Sequence, residues 1–277
     1  IGQGEEMTIL DAEQTNQLII IEDCINSSYS NFTITGGTGI GSCWMCNGQP
    51  DSGGGMVVFN ANAVINNIMF TNNHCEVSGG GLFLYNADAI LSNITLENNS
   101  AAWGGGLSIM SSNVVLNSVN IISNNAIYGG GIMVEDTTGG YYNTILNNVV
   151  ISNNSALYGG GINTGYFAVQ INLINVTISE NLAIYNGGGI FMAMYANLTL
   201  TNSIIWNNIP ESIYLVSEYE QPIITYSDIE GGWEGEGNIN LDPLFINPQD
   251  GEYTLHPNSP CIDTGTADLN GDGYEDI

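Results

Sequence analysis

The chain repeats one phrase: an Asn-Asn pair, a short spacer ending in an aromatic or small residue, three consecutive glycines and a resumed apolar run. It reads FTNNHCEVSGGGL, LENNSAAWGGGL, ISNNAIYGGGI, ISNNSALYGGGI and ISENLAIYNGGGI. The glycine triplets begin at Gly53, Gly79, Gly104, Gly129, Gly159 and Gly187, in steps of 26, 25, 25, 30 and 28 residues. A fixed period of this size marks a solenoid, because one such unit cannot bury its apolar face until another stacks on it.

Each period holds three short runs of alternating apolar residues separated by Ser, Asn or Gly, the pattern of strands. In the third period they are Leu107 to Ile109, Val114 to Leu116 and Val119 to Ile122. Three strands and three turns make one coil of a right-handed parallel β-helix, an all-β fold. Strands stack about 4.8 Å apart, so roughly nine coils give a rod on the order of 45 Å long. Leu82, Leu84, Ile94, Leu96, Val119 and Ile121 are expected inside, with Thr95 and Asn120 outside. The helix is expected over residues 1–262, with central repeats at 53–210 and acidic C-terminal coils at 211–262, followed by an acidic tail at 263–277.

Corner chemistry follows from the same geometry. Glycine adopts φ > 0 and permits close backbone approach. An Asn repeated at one corner can bond its copy on the next coil, which predicts a ladder of Asn73, Asn99, Asn125, Asn154, Asn181 and Asn208.

The xxNN corner followed by a GG-apolar start resembles right-handed parallel β-helix repeats of bacterial cell-surface proteins, with a pectate-lyase-like fold. It is similar in particular to the polymorphic outer-membrane protein family, with its GGA[IVL] and FxxN motifs. Here Gly replaces the family's Ala, and only Phe70 supplies the Phe. The tail YSDIEGGWEGEGNINLDPLF, then GEYTLHPNSPCID, resembles the end of secreted β-helix proteins that carry a C-terminal sorting or anchoring segment. The resemblance implies the fold and an extracellular or cell-surface location.

Composition narrows the partners. Average usage would supply about 30 Lys plus Arg in a chain this long; this one has none, against 28 Asp plus Glu. Neutralising phosphates requires cations, so nucleic acid is excluded. Anionic membranes and acidic polysaccharides are disfavoured for the same reason unless metal ions bridge them. Seven acidic residues lie between Asn31 and Pro210 and fifteen between Glu211 and Ile277, so a neutral rod carries an acidic end. No apolar run of about 20 residues exists to span a membrane. The opening at Ile1, in mid-pattern, suggests a mature product or an excised fragment, with an N-terminal cap either missing or lying upstream.

Of five cysteines, Cys43 and Cys46 form a CxxC with no second CxxC or nearby His to support zinc. Cys46 and Cys75 precede successive triplets and are placed to form a disulfide across coils, with Cys24 near them; Cys261 reads as a packing residue. Seven N-x-S/T sequons read as a by-product of the Asn-rich repeat, several of them at ladder positions.

Two further patterns bear on ligands. Asp268, Asn270, Asp272, Tyr274 and Asp276 place oxygens at alternating positions with Gly273 at the sixth, like the start of a calcium loop; its twelfth position would fall beyond Ile277. Trp103, Tyr128, Tyr158 and Tyr185 precede glycine triplets, one per coil, either as a platform for sugar rings or as a stack shielding the corner.

Catalysis on a polysaccharide would need converging carboxylates. Among the central acids Asp88, Glu97, Glu135, Asp136 and Glu180, only Glu135 and Asp136 are adjacent, and strand neighbours face opposite sides. His74 and His256 have no Ser or Cys nucleophile motif beside them. The expected function is therefore a non-enzymatic structural or adhesive surface module, with Ca2+ as a candidate stabiliser. The alternatives are a carbohydrate-active module for a neutral polysaccharide, or a filament subunit assembling end to end with copies of itself.

Overall fold

In the computed structural model, which describes residues 8–39, 52–165 and 169–269, the chain is a parallel β-helix. Eight strands stack in one sheet, from Ile19–Glu22 through Leu107–Met110 to Ile213–Leu215. A second sheet runs through nine strands from Ile9–Asp11 to Ile223–Thr225. All these pairings are parallel, and the register holds column by column: Ile65, Leu91, Leu116 and Leu146 follow one another up the rod.

The second and third apolar runs are joined where a corner was expected to separate them. Asn113–Ile122 is one strand, bent at Ser118. The same position is Asn67, Asn93, Asn148, Asn175 or Asn202 in other coils, each with φ between 53° and 55°. A single left-handed residue turns the chain without interrupting its pairing, and Asn and Ser tolerate that conformation better than branched side chains. The coils up to Ser152 therefore have one short strand and one long, bent one, while in later coils the bend at Asn175 or Asn202 separates two strands, Val169–Ile174 from Thr177–Ser179 and Asn197–Thr201 from Ile204–Trp206.

Leu82, Leu84, Ile94, Leu96, Val119 and Ile121 are all buried in one continuous core, while Thr95 and Asn120 face outward. Trp233 packs on that core beyond the last coil. Among the described residues no helix is long and apolar enough to cross a membrane.

Parallel stacking ends earlier than the expected 262. The last parallel bridge joins Asp228 to Ile239, and Phe245–Asn247 pairs antiparallel with Glu252–Leu255. This hairpin folds back along the outside of the rod. Tyr253 Oη donates to Glu180 Oε2 (3.1 Å) and Gln249 Nε2 to Glu180 Oε1 (3.1 Å), and Asn202 exchanges two hydrogen bonds with the Thr266 backbone. The Pro-rich, polar sequence of this segment lacks the alternating apolar runs that a further coil would need to bury.

Candidate functional site

The NN-to-GGG corner is structural, and each of its residue types has a separate cause. The first glycine of each triplet has φ between 64° and 84°. The second lies against the next coil's backbone, and a Cβ at Gly130 would fall 2.5 Å from the carbonyl oxygens of both Gly160 and Ser155. Under the third lies a ladder amide: a Cβ at Gly131 would meet Asn154 Nδ2 at 3.2 Å.

The ladder consists of Asn73, Asn99, Asn124, Asn154, Asn181 and Asn208, all buried. Each amide of the run bonds the next: Asn99 Nδ2 donates to Asn124 Oδ1 (3.1 Å), Asn124 Nδ2 to Asn154 Oδ1 (3.0 Å) and Asn154 Nδ2 to Asn181 Oδ1 (2.9 Å). Asn125 is corrected by this geometry. In its coil Ser123 takes the left-handed position filled by Asn72, Asn98, Asn153 and Asn207, and by Glu180, in other coils, which moves the ladder to Asn124. Asn125 is exposed and donates to Ser155 Oγ. Nor does any sequon asparagine belong to this ladder; Asn26, Asn93, Asn98, Asn153, Asn175 and Asn197 are exposed.

Of the aromatic column, Tyr128 and Tyr158 stack with ring centroids 5.5 Å apart and planes 9° apart, and Tyr158 meets Tyr185 at 5.0 Å. Trp103 packs on Val57, Phe83 and Met110, outward residues of the short-strand sheet that the column helps to bury. Tyr128 and Tyr158 turn their ring faces to each other, so there the column shields its corner and offers outside molecules ring edges.

Cys75 is buried, with its Sγ accepting from Val77 N at 3.4 Å, and burial pushes its thiol pKa up. Cys46, its expected disulfide partner, lies outside the described residues, as do Asn270, Asp272, Tyr274 and Asp276 of the calcium-loop pattern. Asp268 is described; among the described residues no group of three or more His, Cys, Asp or Glu is arranged to hold a metal ion. Cys261 is more than a packing residue: its thiol donates to Asp228 Oδ2 (3.1 Å), and burial with that carboxylate pushes its pKa up to about 12.

Glu135 and Asp136 occupy different environments. Asp136 is fully buried, and its Oδ1 accepts from Ser111 Oγ (3.0 Å), Thr138 N (2.8 Å) and Thr138 Oγ1 (2.9 Å). It anchors the loop that supplies the five extra residues of the 30-residue period. Burial, then the charge of Asp136, raises the Glu135 pKa above its ordinary 4.5. A folded state that holds a proton more tightly than the unfolded chain loses stability as pH rises from that ordinary value through the raised one. Glu135→Gln is therefore expected to raise the melting temperature at neutral pH, with no gain at about pH 4 where both forms are largely uncharged. Circular dichroism melts at the two pH values measure this; an equal gain at both would remove burial of charge as the cause.

Among the described residues, a groove of ≈ 430 Å³ opens on the outer face of the long-strand sheet. Its floor is Val64, Ile90, Val115 and Ile145, one per coil and directly in register. Val64 and Ile90 are 42% and 45% exposed. Its wall is Asn62, Asp88, Asn113 and Asn143, where Asn113 Nδ2 donates to Asp88 Oδ1 (3.0 Å) and Asn113 Oδ1 accepts from Asn143 N (3.1 Å). At its end stands the Asp136-anchored loop, whose Tyr141 is 99% exposed and whose Tyr142 Oη contacts Thr138 Oγ1 at 3.2 Å. Past the loop, Tyr141 and Tyr142 line a smaller hollow with Gln170 and Asn197, which continue the polar column. Of these residues the sequence marks only Asp88 and Asp136, as acids of the central coils; the 30-residue step is its one signal of the loop. No protein-family profile, curated protein or solved structure matches the chain.

Proposed function

We propose that the chain is a secreted or surface-attached structural and adhesive module that acts without catalysis. The observation carrying this reading is the unbroken register of both sheets from coil to coil, which makes a stiff support whose outer columns repeat at a fixed interval. The likeness of its corners to repeats of bacterial surface proteins supports an extracellular or cell-surface location. Absence of Lys and Arg directs the adhesive face toward neutral partners, polysaccharide first. Calcium at the loop opening on Asp268 belongs to the same proposal, as a stabiliser of the acidic end.

A single-module role is favoured over end-to-end filaments because Trp233 covers the core beyond the last coil. A heterologous contact needs complementary open surfaces at both ends.

The test is retention of the protein on beads coated with neutral plant polysaccharides, with reducing ends measured in the same samples. Retention without release is expected. Release of reducing ends, abolished by Glu135→Gln or Asp136→Asn, would overturn the passive reading in favour of a glycoside hydrolase.

A further inference from the structure

The groove beside Tyr141 has a repeat, a polarity and an end, and together these select a ligand. Its floor offers one aliphatic side chain per coil and its wall one amide or carboxylate per coil. Coils recur about every 4.8 Å, whereas an extended peptide repeats its same-side residues only every ~6.8 Å and falls out of step after one coil. Nucleic acid finds no cation to meet its phosphates. A second copy would bring another formal −28 charge and a second Asp88 against the first.

The polar wall consists of acceptors as well as donors, and Asp88 is an exposed carboxylate with no cation to pair with. Hydroxyl groups donate to such a wall, and the C–H faces of sugar rings suit an aliphatic floor. Tyr141 adds a free aromatic face at the end of the track. Unlike the Tyr128–Tyr158 stack, its ring is open to solvent, and the loop carrying it is held from beneath by the buried Asp136. The hairpin that folds back on Glu180 and Asn153 covers the opposite corner of the same sheet, leaving this track open.

We propose that the track from Val64 to Ile145, walled by Asn62, Asp88, Asn113 and Asn143 and ended by Tyr141, binds a linear neutral polysaccharide lying along the rod axis. This rests on the adhesive reading and names its ligand class and contact face. The experiment is isothermal titration of the full chain with cellohexaose, xylohexaose and mannohexaose, with hexagalacturonate as the acidic comparison. At least one neutral hexasaccharide is expected to bind, and hexagalacturonate is not. Tyr141→Ala should weaken binding roughly tenfold, corresponding to about 1.4 kcal/mol. Ile90→Asn should weaken it further, with circular dichroism melts showing that both variants remain folded.

Absence of binding by all three neutral probes would overturn the proposal, as would binding that neither substitution changes. Bead retention separates the two levels. Wild-type retention that survives both substitutions leaves the adhesive reading standing and sinks the groove; no wild-type retention sinks the adhesive reading itself.

Discussion

Gly130→Ala is expected to destabilise the protein by roughly 3 kcal/mol or more, at the upper end of what overpacking a single site costs. The added Cβ would sit 2.5 Å from two carbonyl oxygens of the neighbouring coil, those of Gly160 and Ser155. These are backbone atoms in a hydrogen-bonded stack, so no rotamer change relieves the contact; the coils themselves must separate. Gly139→Ala is the comparison for backbone conformation alone, because Gly139 has a left-handed φ of 76°, which Gly130 does not, and nothing lies within 4 Å of its Cβ position. That substitution should cost only about 1–2 kcal/mol, the strain of a left-handed alanine. Urea titrations followed by circular dichroism compare the two. Equal losses would show that close approach of the coils at Gly130 costs no more than left-handed strain in an uncrowded loop, and would refute crowding as the source of a large effect.

This contrast also explains what the sequence disclosed. A glycine at a crowded corner or an Asn at a left-handed turn is required by the chemistry of one residue, so the period, the fold and the inward-facing residues could be read directly. The groove could not. Val64, Ile90, Val115 and Ile145 are ordinary strand residues until parallel register aligns them, and nothing local distinguishes Ile90 from a core isoleucine. Tyr141 was hidden differently, since an exposed tyrosine in a Gly-Gly loop has meaning only beside the track it ends. The C-terminal hairpin was misplaced because its anchoring bonds join residues 69 and 73 positions apart, beyond any periodic signal. Conversely, the aromatic column was conspicuous in sequence because its spacing matches the coil, and that same spacing lets Tyr128 and Tyr158 stack on each other.

The ladder yields the second large effect and separates two asparagines that the sequence presents as a pair. Asn124→Ala removes the acceptor of Asn99 N (2.9 Å) and Asn99 Nδ2 (3.1 Å), and the donor to Leu96 O (2.9 Å) and Asn154 Oδ1 (3.0 Å). Asn99 Nδ2 keeps Phe70 O, and Asn154 Oδ1 keeps Asn124 N. The Asn99 N–H loses its side-chain acceptor in a buried corner, and Leu96 O loses a donor there. At about 1–3 kcal/mol for each buried polar group left short of a partner, the loss should total roughly 3–4 kcal/mol. Asn125→Ala removes an exposed bond to Ser155 Oγ and should fall within about 0.5 kcal/mol of wild type. Urea unfolding of the two variants measures the difference, and comparable losses would refute the assignment of the ladder to Asn124. Asn124→Asp sharpens the result: the carboxylate can still accept from Asn99 but has no N–H to donate to Leu96 O, and it buries a charge in a chain without Lys or Arg to pair with it. It should therefore be at least as damaging as alanine despite its matching shape, because the corner selects Asn for its simultaneous donor and acceptor.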